Sequence, residues 1–133
     1  MLYVLDASVA IAWAMRDEAH PLADLAFNLV RSGSAIVPGI FWYELRNVLV
    51  VNERRNRITP GDSDRFIQSL HQLPIDTAFP QNSAETMRLS RRHAMSVYDA
   101  AYLALAIAEI LPLATLDKVL TTAAVSEGVT LLA

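Results

Sequence analysis

The sequence contains no cysteine, so disulfide bridges, thiolate metal ligands and a thiol nucleophile are excluded within it. Charged residues are also scarce, at 19% of the chain. The balance of 11 Lys and Arg against 14 Asp and Glu gives a formal net charge of −3. This mild acidity does not favour a protein that binds nucleic acid through bulk charge. If the chain acts on nucleic acid, local groups must overcome that charge.

A long uninterrupted apolar run is also missing. The longest apolar tract, residues 97–116, contains Asp99, Glu109 and Pro112, and it falls short of the roughly 18 apolar residues of a membrane span. No basic segment precedes Asp6, so the first residues do not resemble a secretion signal. We therefore expect a soluble, cytoplasmic protein with no membrane partner.

Apolar residues are abundant, at 53% of the 133 positions, which argues against disorder and predicts one well-packed domain over residues 1–133. Short apolar strands alternate with helices along the chain. This pattern predicts a three-layer α/β/α sandwich with a mostly parallel sheet of about five strands. The predicted strands are 2–5, 35–37, 74–76, 113–115 and 129–132. The predicted helices are 8–15, 21–31, 40–56, 60–72, 81–93, 97–111 and 118–127.

Acidic residues directly follow two of the predicted strands. Asp6 follows the first strand, and Asp117 follows the strand at 113–115. In parallel sheets, ligands bind outside the carboxyl ends of the strands, so we expect both carboxylates at a ligand-binding edge. Each acid also stands just before a helix, and a structural role as a helix N-cap is the alternative interpretation.

Two further acids lie within predicted helices. Asp99 follows Ser96 at the spacing of a capping box, which favours a structural role. Its helix is apolar all round and therefore buried, where an ionised carboxylate is costly unless it is paired or bound to a cation. Glu44 shares a helix face with apolar residues and Asn47. It either pairs with Arg46 or faces solvent, or it turns toward a polar pocket, steadied by Asn47.

Carboxylates that converge on one edge repel each other, and a hard divalent cation would relieve that repulsion. Mg²⁺ or Mn²⁺ binds through a few carboxylates, keeps several waters and bridges to substrate phosphate. Such ions suit phosphodiester hydrolysis because they activate the attacking water and stabilise the leaving oxygen. Ser8 and Thr115 are placed to hydrogen-bond these carboxylates or waters.

Four segments of the sequence carry a family resemblance. They are Leu5-Asp6-Ala7-Ser8, Glu44-Leu45-Arg46-Asn47, the run from Tyr98 to Ala106, and Ala114-Thr115-Leu116-Asp117. In this order and spacing they resemble the PIN-domain ribonucleases, and in particular the VapC-type toxins of prokaryotic toxin–antitoxin pairs. The resemblance extends over essentially the whole chain, to the closing residues 128–132.

The resemblance implies a five-stranded parallel sheet and RNA cleavage that depends on Mg²⁺ or Mn²⁺. It also implies a homodimer and inhibition by a cognate antitoxin. Carried over by residue, it makes Asp6, Glu44, Asp99 and Asp117 the catalytic and metal-binding cluster, with Ser8, Asn47 and Thr115 as polar supports. Some members carry a further acid two or three residues after the last one, where this chain has Val119 and Leu120.

Other function classes fit less well. A haloacid-dehalogenase-like phosphoryl-transfer enzyme would use Asp6 as nucleophile, but it needs a second acid where Ser8 stands and a lysine before Asp99. Receiver domains fail for a related reason, and no phosphate-binding loop of the GxxxxGK type is present. A non-catalytic PIN-like binding module stays open as an alternative, although such a module has no reason to keep a repulsive acidic cluster.

The remaining residues of interest favour structural roles. The arginines at 54–57 and 88–92 are interpreted as cations at helix ends rather than phosphate contacts. Asp17 and Glu18 either border the site or lie in a solvated loop. The aromatic residues are expected in the core, or for the tryptophans in a dimer contact: Tyr98, Tyr102, Trp13 and Trp42.

Overall fold

The structure is a computed structural model that describes residues 1–15, 20–79 and 83–133. Strands and helices alternate in it as the sequence predicts. The strands are β1 (Leu2–Leu5), β2 (Ser34–Val37), β3 (Ile75–Thr77) and β4 (Leu113–Ala114). The helices are α1 (Ala7–Ala14), α2 (Pro21–Ser32), α3 (Ile40–Arg54), α4 (Pro60–His71), α5 (Ser83–His93), α6 (Val97–Glu109) and α7 (Lys118–Ser126). The predicted start of α5 at residue 81 lies outside the described residues.

The strands form a parallel sheet in the order β3-β2-β1-β4. Helices cover the sheet, so the predicted α/β sandwich is confirmed. The register pairs Tyr3 with Ala35 and Leu5 with Ala114. This order makes β1 and β4 neighbours, and it therefore brings the residues that follow them, Asp6 and Thr115, to the same edge.

The predicted count of five strands is wrong, because the described chain forms a four-stranded sheet. The segment at 129–132 makes one isolated parallel bridge, between Leu131 and Leu113. Two features explain this. β4 is only two residues long and offers little edge to pair with. The backbone N–H of Val129 bonds to the carbonyl of Ala124, 2.9 Å away, and so closes the end of α7 instead of joining the sheet.

Helix ends follow local chemistry. α4 begins with a full capping box between Thr59 and Asp62. α3 ends at Arg54, two residues before its predicted end, and Asn56 just beyond it adopts a left-handed φ of 58°. α6 ends before Ile110, which has a φ of 54° in place of the predicted continuation to 111. Left-handed residues commonly terminate helices in this way.

The core lies on both faces of the sheet. Tyr3, Val4 and Leu5 of β1 are fully buried, and the Tyr3 hydroxyl donates to the carbonyl of Ala26 at 2.6 Å. Residues 102–106 of α6 are all buried, as expected for a helix that is apolar all round. Within the described ranges, no helix is long and apolar enough to cross a membrane.

Candidate active site

Asp6 lies at the carboxyl end of β1, in the N-cap position of α1. Its side chain nevertheless caps no backbone N–H of that helix. Its Oδ2 instead accepts hydrogen bonds from Ser8 Oγ at 2.5 Å and from Thr115 Oγ1 at 2.8 Å. The residue is only 6% exposed. The capping interpretation of the Asp6 carboxylate is therefore wrong, and the side chain is buried as part of a polar cluster.

The two hydroxyls that hold Asp6 also fix the loop after β4. Ser8 Oγ accepts the backbone N–H of Leu116 at 3.0 Å, and Thr115 Oγ1 accepts that of Asp117, also at 3.0 Å. Each hydroxyl thus joins the Asp6 carboxylate to the backbone that carries Asp117. The residues for which the sequence proposed supporting roles, Ser8 and Thr115, lie in direct contact with Asp6.

Asp117 and Asp99 each belong to the first turn of a helix. Asp117 is the N-cap of α7, and its Oδ1 accepts the backbone N–H of Leu120 at 2.9 Å. The backbone N–H of Asp99 donates to Ser96 Oγ at 3.0 Å. The capping interpretation therefore applies to these positions. It does not prevent either carboxylate from taking part in a site, because capping engages only Oδ1 of Asp117, and at Asp99 it engages the backbone N–H and a bond between the carboxyl and the Ser96 hydroxyl.

Glu44 lies in the second turn of α3 and is half-buried. Its Oε1 accepts a hydrogen bond from the Tyr102 hydroxyl at 2.7 Å. The Arg46 guanidinium bonds to the carbonyl of Trp42 within its own helix, so the predicted alternative of a Glu44–Arg46 pair is not observed. The side chain that holds Glu44 is therefore Tyr102, whereas Asn47 lies exposed one turn away.

Tyr102 is the site residue that the sequence interpretation missed, since it was assigned to the core alone. It is fully buried, as predicted, but its hydroxyl reaches Glu44 and also contacts the backbone of Ala7, next to Asp6. The available signal was a buried tyrosine one turn after Asp99, because a buried hydroxyl needs a partner. Tyr98, by contrast, is 58% exposed, so its predicted place in the core is wrong.

The four acids influence each other electrostatically. Burial raises the pKa of the Asp6 carboxyl, the Ser8 and Thr115 hydroxyls oppose that rise, and the charges of Asp99 and Asp117 add to it. Burial also raises the pKa of Glu44, and the charges of Asp6 and Asp99 contribute. The pKa of Asp99 is raised by burial and then by Asp117. The fold therefore brings these carboxylates close enough to repel one another.

This repulsion predicts an unusual dependence of stability on pH. Because Asp6, Glu44 and Asp99 have raised pKa values, these three groups hold more protons in the folded protein than in the unfolded chain in the mildly acidic range. Their contribution to stability is full below the ordinary carboxyl pKa and is lost as pH rises through the folded values. In EDTA, we therefore expect the contribution of these groups to the free energy of unfolding to grow as pH falls from 7 toward 4.

Urea unfolding of the wild type and of Asp6→Asn in EDTA, at a series of pH values, measures that contribution. The comparison cancels exposed acids with lowered pKa values, such as Asp62 and Glu85, which act in the opposite direction. The gap in stability between the variant and the wild type should widen as pH rises. A gap that stays constant with pH would contradict the electrostatic coupling.

The structure also bears on the loop acids, the arginines and the tryptophans that the sequence singled out. Asp17 and Glu18 lie outside the described residues. Arg88 bonds to Glu85 at 2.6 Å and to Glu127 at 3.0 Å, and Arg92 lies 3.5 Å from Glu127. These ion pairs favour the predicted structural role of Arg88 and Arg92.

The tryptophans pack against the core while partly exposed, and Trp42 Nε1 donates to Thr77 Oγ1 at 2.9 Å.

Comparison with known proteins identifies the family to which this chain belongs. The sequence pattern of the PIN domain matches residues 3–125, which is nearly the whole chain. The chain belongs to the PIN-domain family. Members of this family are generally nucleases, which places the protein with the hydrolases at a coarse level. A search of curated proteins found no match to this PIN domain.

Solved structures share the PIN fold at low sequence identity. PAE2754 from Pyrobaculum aerophilum has a TM-score of 0.74 and 21% identity, covering 92% of this chain and 84% of the other. FitAcB from Neisseria gonorrhoeae has a TM-score of 0.67 and 17% identity, covering 100% and 97%. A toxin–antitoxin complex from Klebsiella pneumoniae has a TM-score of 0.57 and 17% identity, covering 84% and 82%. These similarities establish the fold.

The donor atoms of the PIN domain suit a hard cation. Carboxylate oxygens are the ligands that Mg²⁺ and Mn²⁺ prefer, and a cation would relieve the repulsion among these carboxylates. In the part of the chain that the structure describes, no three acidic or histidine side chains enclose a ready-made metal cage. That agrees with the way Mg²⁺ binds, through one or two carboxylates while it keeps waters and substrate oxygens. The residues therefore fit such an ion.

Proposed function

We propose that this PIN domain is a metal-dependent endoribonuclease and the toxin of a toxin–antitoxin pair, of the VapC type. The observation that carries the proposal is the buried Asp6 carboxylate. It is held by two hydroxyls at the carboxyl edge of a parallel sheet, the charges of Asp99 and Asp117 raise its pKa, and its own charge raises the pKa of Glu44. Mutual repulsion among carboxylates is costly to the fold, which favours a functional role for the cluster.

The residues that would hold the ion are Asp6, Glu44, Asp99 and Asp117. When bound, Mg²⁺ or Mn²⁺ supplies an activated water and charge stabilisation for phosphodiester hydrolysis. The side chains around them position these acids. Ser8 and Thr115 keep Asp6 ionised and oriented, and Tyr102 does the same for Glu44. Asn47, exposed one turn after Glu44, is proposed to support the site from the solvent side, where it is free to meet substrate.

One of the structures that share the fold supports the choice of biological role. It is described as a toxin–antitoxin complex, and it aligns over most of both chains. We propose by analogy that this PIN domain pairs with a cognate antitoxin, forms a homodimer and acts on RNA in the cytoplasm.

The alternative of a phosphoryl-transfer enzyme fits less well. A haloacid-dehalogenase-like mechanism with Asp6 as nucleophile needs a second acid at position 8, where Ser8 instead donates its hydroxyl proton to Asp6 Oδ2.

Incubation of the purified, antitoxin-free protein with total cellular RNA and Mn²⁺ tests this function. Discrete fragments are expected, because an endonuclease with a defined site cuts at preferred positions. DNA of matched length is the control substrate. A folded protein that yields no fragments with Mg²⁺ or Mn²⁺ would contradict the proposal and favour a non-catalytic binding module.

Replacing Tyr102 by phenylalanine should lower kcat/KM roughly tenfold. The change removes the hydroxyl that donates to Glu44 Oε1, and a hydrogen bond to a charged group contributes about 1.5–3 kcal/mol. That hydroxyl lowers the pKa of Glu44, so its loss should raise this pKa further. The acidic limb of the pH profile of kcat/KM should then move to higher pH.

Tyr43→Phe is the matched control, because Tyr43 precedes Glu44 but is 73% exposed. It should leave both the rate and the pH profile unchanged. If Tyr102→Phe lowered the rate without moving the acidic limb, the hydroxyl would act on packing alone and not on the charge of Glu44.

A further inference from the structure

The carboxyl edge of the sheet continues beyond the acidic cluster. Across the sheet the strand order is β4, β1, β2, β3, so the segments after β2 and β3 follow Asp6 along this edge. Neighbouring strands lie about 4.8 Å apart, which puts the end of β3 about 10 Å from the end of β1. A nucleic-acid strand that crosses the cluster in this direction would run directly onto these segments.

A pocket of about 370 Å³ opens at that place. It is lined by Pro38, Gly39 and Ile40 at the start of α3, by Ala78 and Phe79 after β3, and by Ala101 of α6. Among its described lining residues, Thr86 supplies the polar side chain and the others are apolar. The size lies within the range of small-ligand pockets, at the lower end. We name it the edge pocket.

Two helices, α3 and α6, carry residues of both the edge pocket and the acidic cluster. Ile40 lies one turn before Glu44 on the same side of α3. Ala101 lies two residues after Asp99 in the first turns of α6. The pocket and the carboxylates are therefore held by the same rigid elements, and a molecule bound at one is positioned relative to the other.

Gly39 keeps the edge pocket open. Its backbone has ordinary helical angles, φ −56° and ψ −31°, which any residue adopts, so the conformation does not require glycine. A Cβ built on Gly39 would meet no atom within 4 Å. A larger side chain at this position of the pocket lining would therefore meet no clash at its Cβ, and we expect it to reduce the space in the pocket.

The occupant that fits is a nucleobase. Its apolar faces match the apolar walls, and the Phe79 ring, which is 90% exposed, offers an aromatic surface for stacking. We infer that the edge pocket receives the base of a nucleotide next to the phosphate at the acidic cluster. This inference rests on the proposed ribonuclease function and assigns a base-binding subsite beside the same acidic cluster.

Cleavage of single-stranded RNA oligonucleotides that each carry one abasic nucleotide tests the inference. With wild-type protein and Mn²⁺, an abasic nucleotide at one position near the cut should lower kcat/KM about tenfold, the effect of losing one stacked base. Gly39→Leu should lower kcat/KM about tenfold on the intact oligonucleotide, and the abasic position should then add no further loss. Phe79→Ala gives a second variant, because it removes the stacking surface from an exposed site.

Gly61→Leu is the matched control. Gly61 also begins a helix, and a Cβ there meets the flexible end of Arg65 at an ordinary 3.4 Å. This variant should cleave as the wild type does. If wild type cleaves and Gly39→Leu and Phe79→Ala cleave equally well, the inference is overturned while the ribonuclease function stands. That result would also follow if the pocket instead held an apolar side chain of a partner protein. If wild type cleaves no RNA, the proposed function itself fails, and the inference fails with it.

Discussion

Replacing Asp6 by asparagine is expected to reduce RNA cleavage on the order of a thousandfold or more. A bound metal ion stabilises the charge of the transition state by several kcal/mol, and each 1.36 kcal/mol corresponds to a factor of ten in rate. Asparagine keeps an oxygen in the position that accepts from Ser8 and Thr115, so the hydrogen bonds survive and only the charge is lost. Cleavage of total RNA in Mn²⁺ measures the effect.

The same variant should be at least as stable as the wild type when metal is absent. Burial and neighbouring charges raise the pKa of Asp6, which means that its ionised form is unfavourable in the folded state. Thermal unfolding in EDTA should therefore give an equal or higher Tm. Asp64→Asn, at an exposed position of α4, is the control and should change neither activity nor Tm.

Asp99→Asn repeats the experiment at a second acid whose pKa is raised. A large loss of metal-free stability in both variants would show that the charges of these carboxylates stabilise the fold, which would contradict their raised pKa values. Full activity in either variant would remove that residue from the site.

Chelation of metal is expected to abolish cleavage, and added Mn²⁺ should restore it completely. No cationic side chain is among the causes that shift the pKa values of Asp6, Glu44 and Asp99, so no described positive charge replaces an ion beside these three acids. The assay is a cleavage time course in EDTA, followed by addition of Mn²⁺ or Mg²⁺ in excess over the chelator.

Thermal unfolding gives a second measurement that does not depend on activity. A ligand that binds only the folded state raises the Tm, so Mn²⁺ should stabilise the wild type. The shift should be much smaller in Asp6→Asn and unchanged in Asp64→Asn. Cleavage that persists in EDTA would contradict the metal mechanism, even if the protein proved to be a ribonuclease.

Most of the fold could be predicted from the sequence because its pattern is strong. The alternation of short apolar runs with longer helical segments is a property of each segment, and it gave the elements and the parallel sheet. The fifth strand could not be predicted correctly, because its fate depends on tertiary pairing. Val129 closes α7 through its backbone, and β4 is too short to hold a full neighbour. The end of α3 has a signal in Asn56, because asparagine readily adopts the left-handed region, whereas the β-branched Ile110 beyond α6 gives no such signal.

The site was partly predictable for a related reason. Asp6 and Thr115 directly follow strands that lie side by side, so sequence position alone placed them at one edge. The bond between Glu44 and Tyr102 joins residues 58 positions apart, and it depends on how α3 packs against α6. The sequence indicated Asn47 as the partner of Glu44 because it lies one turn away. Tertiary packing supplied Tyr102 instead.

The hydrogen bonds that the Ser8 and Thr115 hydroxyls accept determine where each hydroxyl donates its own proton. Each hydroxyl receives a backbone N–H from residue 116 or 117, and a hydroxyl has a single proton of its own. Both hydroxyl protons are therefore donated to Oδ2. Neither hydrogen bond can reverse its direction unless the backbone N–H that donates to the hydroxyl is lost. Oδ1 is the oxygen that neither hydroxyl holds, so a proton and a cation must compete for that one atom. Acidification should therefore displace the metal at Asp6 well before it unfolds the protein.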